Sequence, residues 1–563
     1  MATIIAHNII SPLGFTTEEN YQAIKSGKGA LCHYNGMEGV PFAFTASLFS
    51  KQQQQQITLE GYTWFESLAI RSIRAALQQT SLTLDAKTLL IISSTKGNVG
   101  LLTADEQRDN VLSPGAAAQK IAAAVGIQTQ PIVVSNACIS GVSALILAQR
   151  LLDQQTYSHC IVCGVDVQSP FIISGFQSFK ALSEECCRPF DIERLGLNLG
   201  EAAATVILSN QSTAKGWNIC SGAVRNDAYH ISSPSPQGEG CSKAINYAMS
   251  GKTADTLALV SAHGTATMYN DQMESKAIEK AGLSEVPVNA LKGYLGHTMG
   301  AAGVIETILT MQSLDDNTIL GTKGFEELGV SGHVRLSADN QYTDKKEFIK
   351  IISGFGGCNA AVRLAKDEQF SATTPKHNTY TTTHQIQLSN EGVVVDGVAL
   401  PTDCQGKELL TSLYKTKIGN YPKFYKMDGL AKVGFLAAEL LRQSENRDEE
   451  ENLSQRAIVF FNKFGSLNAD KTYLKTIADA NNYFPSPSDF VYTLPNIVNG
   501  EIAIKQGCKG ETCFYVLPGK DLNTMNTIVD ATFQDQEMES MMVGWLEYEN
   551  DNRFFASIKI IKR

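Results

Sequence analysis

The chain alternates short runs of consecutive apolar residues with longer segments in which apolar residues recur every three or four positions. Short apolar runs are typical of buried strands, and the longer periodic segments are typical of helices that pack on them. The predicted strands cover residues 89–93, 132–134, 160–163 and 203–208, and the predicted helices cover 64–77, 116–125 and 140–152. This alternation predicts an α/β architecture.

The last third of the chain repeats the order of elements found earlier. The apolar run at 457–461 leads into a glycine-containing turn, as the run at 89–93 does. In both places a Ser-Pro pair follows, and then a helical segment that ends at a glycine, Gly126 or Gly507. Sequence identity between the two regions is low, but the preserved order of elements predicts an internal repeat.

The chain divides into four predicted segments. Residues 1–215 and 216–370 form two halves of one domain, 371–384 form a linker rich in Thr and Ser, and 385–563 form a half-domain. The glutamine run at 52–56 is expected to be a solvated loop. A chain of 563 residues is long enough for this number of domains.

Composition and charge narrow the range of functions. The net charge is -10, which argues against a nucleic-acid-binding protein because phosphate neutralisation needs clustered Lys and Arg. No apolar stretch reaches the roughly 18–20 residues that span a bilayer, so we expect no membrane segment. The first residues lack the basic region of a signal peptide. We therefore expect a cytoplasmic protein whose 12 cysteines are reduced.

The strongest local motif is a turn of small residues around Cys138. An apolar strand at 132–134 precedes the turn and a helical segment at 140–152 follows it. A thiol at the start of a helix lies near unpaired N–H groups, which favour the thiolate. For this motif alone, a buried structural cysteine remains the alternative.

Two histidines lie in similar surroundings. His263 ends an apolar run and is followed by glycine, and His297 precedes a second small-residue helix start. In α/β proteins, strand ends that open into a cleft carry the functional sites. Either histidine alone is more typical of a structural residue, but together with Cys138 they predict a site for nucleophilic catalysis.

These segments resemble the β-ketoacyl synthases of fatty-acid and polyketide assembly, over about residues 1–366. Three further motifs occur in the family's order: Asn-Ile-Ile-Ser-Pro-Leu-Gly at 8–14, Cys-Arg-Pro-Phe-Asp at 187–191 and Ser-Gly-Phe-Gly-Gly-Cys-Asn-Ala at 353–360. The resemblance implies a thiolase-like αβαβα fold built from two related halves, followed by a C-terminal half-domain of the same type. A departure is Ala266, where the family usually has glycine.

The resemblance implies an acyltransferase, a 3-oxoacyl-[acyl-carrier-protein] synthase for fatty-acid, polyene or polyketide synthesis. Cys138 would accept an acyl group from a carrier thioester. His263 and His297 would then bind the thioester oxygen of a malonyl extender as it loses CO2 and attacks the acyl group. The backbone N–H groups of Cys138 and Phe355 would form the oxyanion hole. No cofactor and no metal ion are implied.

Three supporting residues come from the same resemblance. Lys292 and Glu306 would support the site electrostatically, although a solvated lysine and an ordinary helical glutamate are the alternative. Phe355, flanked by glycine on both sides, would act as a gate that opens between acylation and condensation.

The implied partners are an acyl carrier protein bearing phosphopantetheine thioesters and a second ketosynthase-like chain, as a homodimer or a hetero-partner. We expect no nucleic acid and no membrane. Two other functions remain open. One is a non-catalytic acyl-binding or chain-length partner. The other is a thiolase-like enzyme, for which Cys358 would be the second cysteine. The lone Cys-x-x-C at 160–163 and the glycines near His297 do not predict a zinc or nucleotide site.

The half-domain at 385–563 is not expected to catalyse the condensation. Aligning Gly126 with Gly507 places Gly519 opposite Cys138, and no counterpart of the histidine loops follows. We expect this segment to dock on the catalytic part, or to cap or lengthen its acyl pocket. Without a second half, one of its helices should present an apolar face that needs cover.

Overall fold

The computed structural model describes residues 2–103, 109–211, 216–368, 379–445 and 453–563. Its strands are β1 Ala2–Ile10, β2 Cys32–Tyr34, β3 Phe44–Ser47, β4 Thr88–Ser93, β5 Ile132–Val134, β6 His159–Asp166, β7 Leu199–Gly200, β8 Ala202–Ser209, β9 Trp217–Asn226, β10 Leu259–Ser261, β11 Pro287–Asn289, β12 Thr318–Ile319, β13 Arg335–Leu336, β14 Gln341–Tyr342, β15 Glu347–Gly354, β16 Cys358–Lys366, β17 Thr381–Ser389, β18 Gly392–Val395, β19 Val398–Leu400, β20 Arg456–Asn462, β21 Thr512–Val516, β22 Ser540–Asn550 and β23 Arg553–Lys562. Its α-helices are α1 Thr17–Lys25, α2 Lys51–Ile57, α3 Trp64–Leu77, α4 Asp109–Leu112, α5 Pro114–Val125, α6 Ser140–Asp153, α7 Pro170–Ser178, α8 Glu239–Met249, α9 Met268–Lys280, α10 Lys292–Leu295, α11 Ala302–Asp315, α12 Gly406–Leu413, α13 Gly429–Ser444, α14 Leu467–Leu474, α15 Pro487–Tyr492, α16 Ile497–Gln506 and α17 Leu522–Thr532.

One five-stranded pattern occurs three times. In the first unit the strand order is β5-β4-β6-β8-β1, with β4 parallel to β5 and β6, and with β8 antiparallel to β6 and β1. The second unit has the order β11-β10-β15-β16-β9 with the same directions. The third unit, β21-β20-β22-β23-β17, repeats them again. The internal repeat predicted for the last third of the chain is therefore present in its strand topology.

Each unit has its own five-stranded sheet, and two short antiparallel strand pairings connect the sheets at their edges. β1 pairs with β9 through Ala2 and Thr3, which joins the first unit to the second. β5 pairs with β21, with Val133 opposite Val516 and Val134 opposite Tyr515, which joins the first unit to the third. The outer edge of β5 is thus covered by its own chain and is not available to a second copy.

Helices and sheets of the first two units form five layers. α3 and α5 cover the outer face of the first unit, α6 and α11 lie between the two sheets, and α8 and α9 cover the second unit. α6 is buried on nearly all sides, as its Ser-Gly-Val-Ser-Ala-Leu-Ile-Leu-Ala sequence requires for a helix between two sheets. The predicted αβαβα arrangement of the thiolase-like fold is confirmed.

The third unit has a helix layer on each face of its sheet. α13 and α16 lie on one side, and α17 lies on the other and packs on α6. α17 buries Met525, Ile528 and Val529 but exposes Asn523 and Asn526. The apolar side of α17 is thus covered by α6 of the catalytic part, and one exposed apolar residue, Leu522, remains at the start of the helix. The free edge of β17 is covered by β18, which in turn pairs with β19.

Buried ion pairs hold the third unit on the other two. Arg150 contacts Glu511 at 2.8 Å, Arg225 contacts Asp535 at 2.6 Å and Lys96 contacts Asp470 at 2.9 Å. In each pair the cation belongs to the first or second unit and the carboxylate to the third. Because both members of each pair are nearly excluded from solvent, loss of either one would leave a buried charge without its partner.

Local expectations differ from the structure at two places. The glutamine run forms most of α2, which Ser50 and Gln53 cap reciprocally, so the predicted loop there was wrong. Residues 371–378 of the predicted linker lie outside the described residues, and β17 begins at Thr381, before the predicted start of the half-domain. Across the described ranges, no helix has the length and apolar character needed to cross a bilayer. The 12 cysteines all lie in the described ranges, and none of them forms a disulfide.

Candidate active site

Cys138 lies in a tight turn between β5 and α6. The residue before it, Ala137, has a φ of +48°, a left-handed conformation that is costly for a residue with a Cβ. Ser140 stabilises the turn, since it accepts a hydrogen bond from the Asn136 N–H at 2.8 Å and donates one to the Ala137 carbonyl at 2.6 Å. The turn holds the sulfur at the floor of a cavity.

His263 follows β10 and is fixed by a carboxylate behind it. The backbone N–H groups of His263 and Gly264 donate to Glu274 of α9 at 2.6 and 2.7 Å. The chain then turns through two left-handed residues, Gly264 with φ +48° and Ala266 with φ +61°. Ala266 therefore occupies a conformation that favours glycine, which is the residue usual in the family at this position.

His297 lies in the loop between α10 and α11. The backbone N–H of His297 donates to the Asn198 carbonyl at 2.7 Å, and the backbone N–H of Gly300 donates to the Asp166 carboxylate at 2.7 Å. Asp166 ends β6 and also accepts bonds from Ser94 and Thr95, so it ties the histidine loop to the first unit. Sequence reasoning missed Asp166, although an acidic residue that ends an apolar strand was a signal for it.

The structure brings Cys138, His263 and His297 together. Cys138 Sγ lies 3.0 Å from His297 Nε2, and the ring centroids of the two histidines are 5.0 Å apart. The Met299 N–H donates to His297 Nδ1 at 3.3 Å, so that nitrogen is an acceptor and Nε2 carries the proton in the neutral ring. His297 thus presents an N–H donor to the sulfur side of the cavity.

Burial and neighbouring charge set the protonation states. Burial, and then the cations Lys292 and Lys350, lower the pKa of His263 and His297 well below the usual value, so both rings are neutral. Burial raises the pKa of Cys138 to about 12, in spite of the opposing effect of Lys292. The resting sulfur is therefore a thiol. The helix-start argument for a resting thiolate was wrong, because desolvation outweighs the N–H groups of the turn.

Lys292 and Glu306 form a buried ion pair behind the histidines. Lys292 Nζ lies 2.7 Å from Glu306 and donates to the His263 carbonyl at 2.6 Å. A second buried lysine, Lys350, contacts the other oxygen of Glu306 and donates to the Ala262 carbonyl at 2.8 Å. Sequence reasoning missed Lys350. Its signal was a single lysine within the apolar strand Phe-Ile-Lys-Ile-Ile.

A cavity of about 270 Å³ opens above the sulfur. Cys138, both histidines and Phe355 line it together with further apolar side chains from Phe176, Phe179, Ala181 and Leu197. The ring of Phe355 lies 5.4 Å from that of Phe179 and 6.3 Å from that of Phe176. An apolar compartment next to a nucleophile and two N–H donors suits an acyl thioester.

Two alternative chemistries fit the site less well. Cys358 is buried, bonds to the Phe355 carbonyl at 3.2 Å and does not line the cavity, so it is not placed as a second catalytic thiol. The donor atoms of Cys138, His263 and His297 lie within 4.8 Å of one another, a spacing that a zinc ion can bridge. The ammonium groups of Lys292 and Lys350 beside the histidines disfavour a dication there.

Comparison with known proteins agrees with this geometry. Residues 5–214 match the family described as "Beta-ketoacyl synthase, N-terminal domain", and residues 218–326 match "Beta-ketoacyl synthase, C-terminal domain". The chain is 33% identical over 263 residues to 3-oxoacyl-[acyl-carrier-protein] synthase 2 of Vibrio cholerae, covering 42% of this chain and 62% of that protein. It is 26% identical over 410 residues to the protein of that name from Vibrio harveyi, covering 64% and 96%.

The fold of the whole chain also has a counterpart among solved structures. A "PfaC Keto synthase-Chain length factor" superposes on 100% of this chain and 78% of its own, with a TM-score of 0.79 and 13% identity. At 13% identity, this similarity is evidence for a shared fold only. It includes the third unit, which neither of the two family matches reaches.

Proposed function

The chain belongs to the β-ketoacyl synthase family, whose two domain matches together cover more than half of it, and we propose that it lengthens acyl chains by decarboxylative Claisen condensation on an acyl carrier protein. The observation that carries this proposal is the meeting of Cys138, His263 and His297 around one apolar cavity, with Sγ 3.0 Å from His297 Nε2. Enzymes of this family are acyltransferases that need a nucleophilic sulfur and donors for a thioester oxygen.

The first step is acyl transfer to the sulfur. Cys138 Sγ attacks the carrier's thioester, the bond from carbonyl carbon to carrier sulfur breaks, and the thiol proton ends on the released carrier thiol. The backbone N–H groups of Cys138 and Phe355 stabilise the oxyanion. The backbone at Gly354 supports this assignment, because a Cβ there would lie only 3.2 Å from the Cys138 nitrogen.

The second step forms the new carbon–carbon bond. A malonyl extender loses CO2, and the resulting enolate attacks the carbonyl carbon of the acyl-cysteine. The carbon–sulfur bond breaks, and the released Cys138 thiolate takes a proton from water. His297 Nε2–H and the neutral ring of His263 donate to the extender's thioester oxygen while it carries negative charge. Lys292 and Lys350, each paired with Glu306, bond to backbone carbonyls at and next to His263, and these two cations together with burial keep both rings neutral.

The third unit has no counterpart of Cys138 in the loop after β21. Gly519 lies in this loop and carries no side chain that could act as a nucleophile. We assign to this unit the role of a ketosynthase-like partner within the same chain, because it covers the β5 edge. It also packs behind the lining of the acyl cavity: Phe490 lies 5.7 Å from Phe176 and 6.3 Å from Phe179 between ring centroids.

The reaction itself is tested with two carrier thioesters. The protein is incubated with an acyl-carrier and a malonyl-carrier protein, and the carrier-bound products are read by mass spectrometry. We expect a 3-oxoacyl carrier two carbons longer than the acyl substrate. Carrier binding without a product would instead identify a non-catalytic acyl-binding partner and overturn the proposal.

Substitution of either histidine is expected to slow condensation much more than acylation. Loss of one hydrogen-bond donor to a developing oxyanion typically lowers a rate by about 10² to 10³-fold. We therefore expect His297→Ala and His263→Ala to lower single-turnover condensation of a preformed acyl-enzyme by that factor. His297→Gln keeps a donor and should recover part of the loss. Equal rates for wild type and both alanine variants would contradict the assignment.

The pH dependence of condensation follows from the neutral histidines. Each histidine ring acts in its neutral form. A lowered pKa keeps a ring neutral until the pH falls through that pKa. The acid limb of the condensation rate should therefore lie below the usual histidine value of 6.5. Lys350→Met removes a cation that lowers both pKa values, so its acid limb should move to higher pH. A pH–rate profile of the preformed acyl-enzyme measures both, and an acid limb that stays in place in Lys350→Met would contradict this account.

A further inference from the structure

The Phe355 turn is built so that its backbone is held from several sides. Gly356 and Gly357 follow Phe355 with φ values of +92° and +71°, which residues with a Cβ rarely adopt. The Gly356 N–H donates to the Ile231 carbonyl at 2.6 Å, and Asn226 Nδ2 donates to the Gly356 carbonyl at 2.8 Å. These two contacts come from the second unit and fix the turn after Phe355.

The carbonyl of Phe355 accepts from the Cys358 thiol at 3.2 Å and is also held by the third unit. Asn496 Nδ2 donates to this carbonyl at 2.8 Å, and the asparagine is buried. A carbonyl oxygen can only accept a hydrogen bond, so the Nδ2 atom of the Asn496 side-chain amide must face Phe355. Asn496 is the N-cap residue of α16, a position where asparagine commonly caps its own helix. Here the side chain makes no such bond and reaches the Phe355 turn instead.

The next turn of α16 touches the same loop. A Cβ at Gly500 would lie 2.8 Å from the Gly356 carbonyl oxygen and 2.9 Å from its Cα, so only glycine allows this approach. A glycine inside a helix is destabilising relative to alanine. Gly500 therefore permits direct backbone contact between α16 and the Phe355 turn. This contact is separate from the hydrogen bond made by Asn496.

We propose, building on the function proposed above, that Asn496 is a positioning residue through which the third unit controls the opening of the acyl cavity at Phe355. The proposal requires that the Phe355 turn moves together with its ring when an acyl chain enters, so that the carbonyl shifts and the bond from Asn496 Nδ2 breaks. The third unit thus sets how readily the aromatic ring leaves its place beside Phe176 and Phe179. Gly500 holds the helix close enough for that bond to form.

Alkylation of Cys138 tests this without a carrier protein or an extender. Full-length protein is treated with iodoacetamide and with a long-chain N-alkyl iodoacetamide, and peptide mass spectrometry follows the modification of Cys138. In both reactions the sulfur displaces iodide and the thiol proton passes to buffer. The short reagent reports the reactivity of the sulfur, and the ratio of the long to the short rate reports access to the apolar cavity.

Asn496→Ala is expected to raise that ratio about fivefold, because one hydrogen bond no longer holds the turn. Asn496→Asp should raise it further, since a carboxylate beside a carbonyl oxygen repels it. Gly500→Ala pushes α16 away from Gly356 and should act in the same direction. Asn526→Ala, an exposed position on α17, is the matched control and should leave the ratio unchanged.

The thermal midpoint of each variant is measured alongside. A purely structural Asn496 would lower the midpoint and leave the long-to-short ratio at its wild-type value. That result in both Asn496→Asp and Gly500→Ala would overturn the proposal. Because alkylation needs no condensation, a failure of the proposed function would show in the carrier assay and would not alter this readout.

Discussion

Replacing Cys138 with alanine is expected to abolish acyl transfer and to lower chain extension by at least about 10³-fold. Without the sulfur no acyl-enzyme forms, and the enolate has no acyl thioester to attack within the site. The histidines and the cavity remain, so the folded structure should be retained. Incubation with an acyl-carrier protein, followed by mass measurement of the intact chain, checks both parts of this expectation.

Cys358→Ala is the matched control for that variant. Cys358 begins β16, is buried and does not line the cavity. Its alanine variant should still be acylated once per chain and should retain most of its condensation activity. A Cys138→Ala protein that still carried an acyl adduct, or a Cys358→Ala protein that lost it, would show that the nucleophile is misassigned.

Glu511→Ala is expected to have the second large effect, on stability. It removes the carboxylate that pairs with Arg150 at 2.8 Å and leaves this buried guanidinium with Asp535 at 3.8 Å. Breaking a buried ion pair from one side typically costs about 3–5 kcal/mol. Because the pair joins the first and third units, we expect a lower unfolding midpoint in urea and earlier protease cleavage between the units.

Glu537→Ala provides a comparison in the same interface. Glu537 also contacts an interfacial arginine, Arg225 at 2.7 Å, but its side chain is 55% exposed. An ion pair with one member in solvent contributes about 0–1 kcal/mol, so this variant should unfold close to wild type. Equal midpoints for Glu511→Ala and Glu537→Ala would contradict the role of buried charge in holding the third unit in place.

Strand and helix types were predictable because they depend on local patterns. The apolar run that becomes β4 is buried along its whole length, and the helix after Ser113 ends at Gly126 in the left-handed conformation expected of a helix-ending glycine. The order of elements also revealed the repeat in the last third of the chain. Cys138 and the two histidines were recognisable because each lies in a small-residue turn at a strand or loop end.

The parts that were missed depend on contacts between distant segments. Lys350 looks like an isolated polar residue until Glu306 is placed beside it. The protonation of Cys138 depends on its burial, which the turn sequence does not reveal. Asn496 reads as an ordinary helix cap until α16 is seen against the Phe355 turn. These features arise from packing between segments that are distant in the sequence, and they leave only weak traces in the local pattern.

The arrangement of the three units fits the proposed single acyl site in each chain. The first unit provides the sulfur, the second provides His263 and His297, and the third covers the β5 edge and has no counterpart of Cys138 in the loop after β21. An arrangement of this kind places a partner-like surface permanently beside the acyl cavity. The buried charges at Arg150, Arg225 and Lys96 make that placement part of the folded state.

Site mapping of the acyl adduct tests the central claim most directly. The wild-type protein is incubated with an acyl-carrier protein alone, digested, and its peptides are searched for the acyl mass. We predict one acyl group per chain, attached to the peptide that contains Cys138, and its disappearance with chain extension when malonyl-carrier protein is added. An adduct on another residue, or an unmodified chain that still extends acyl groups, would contradict the account.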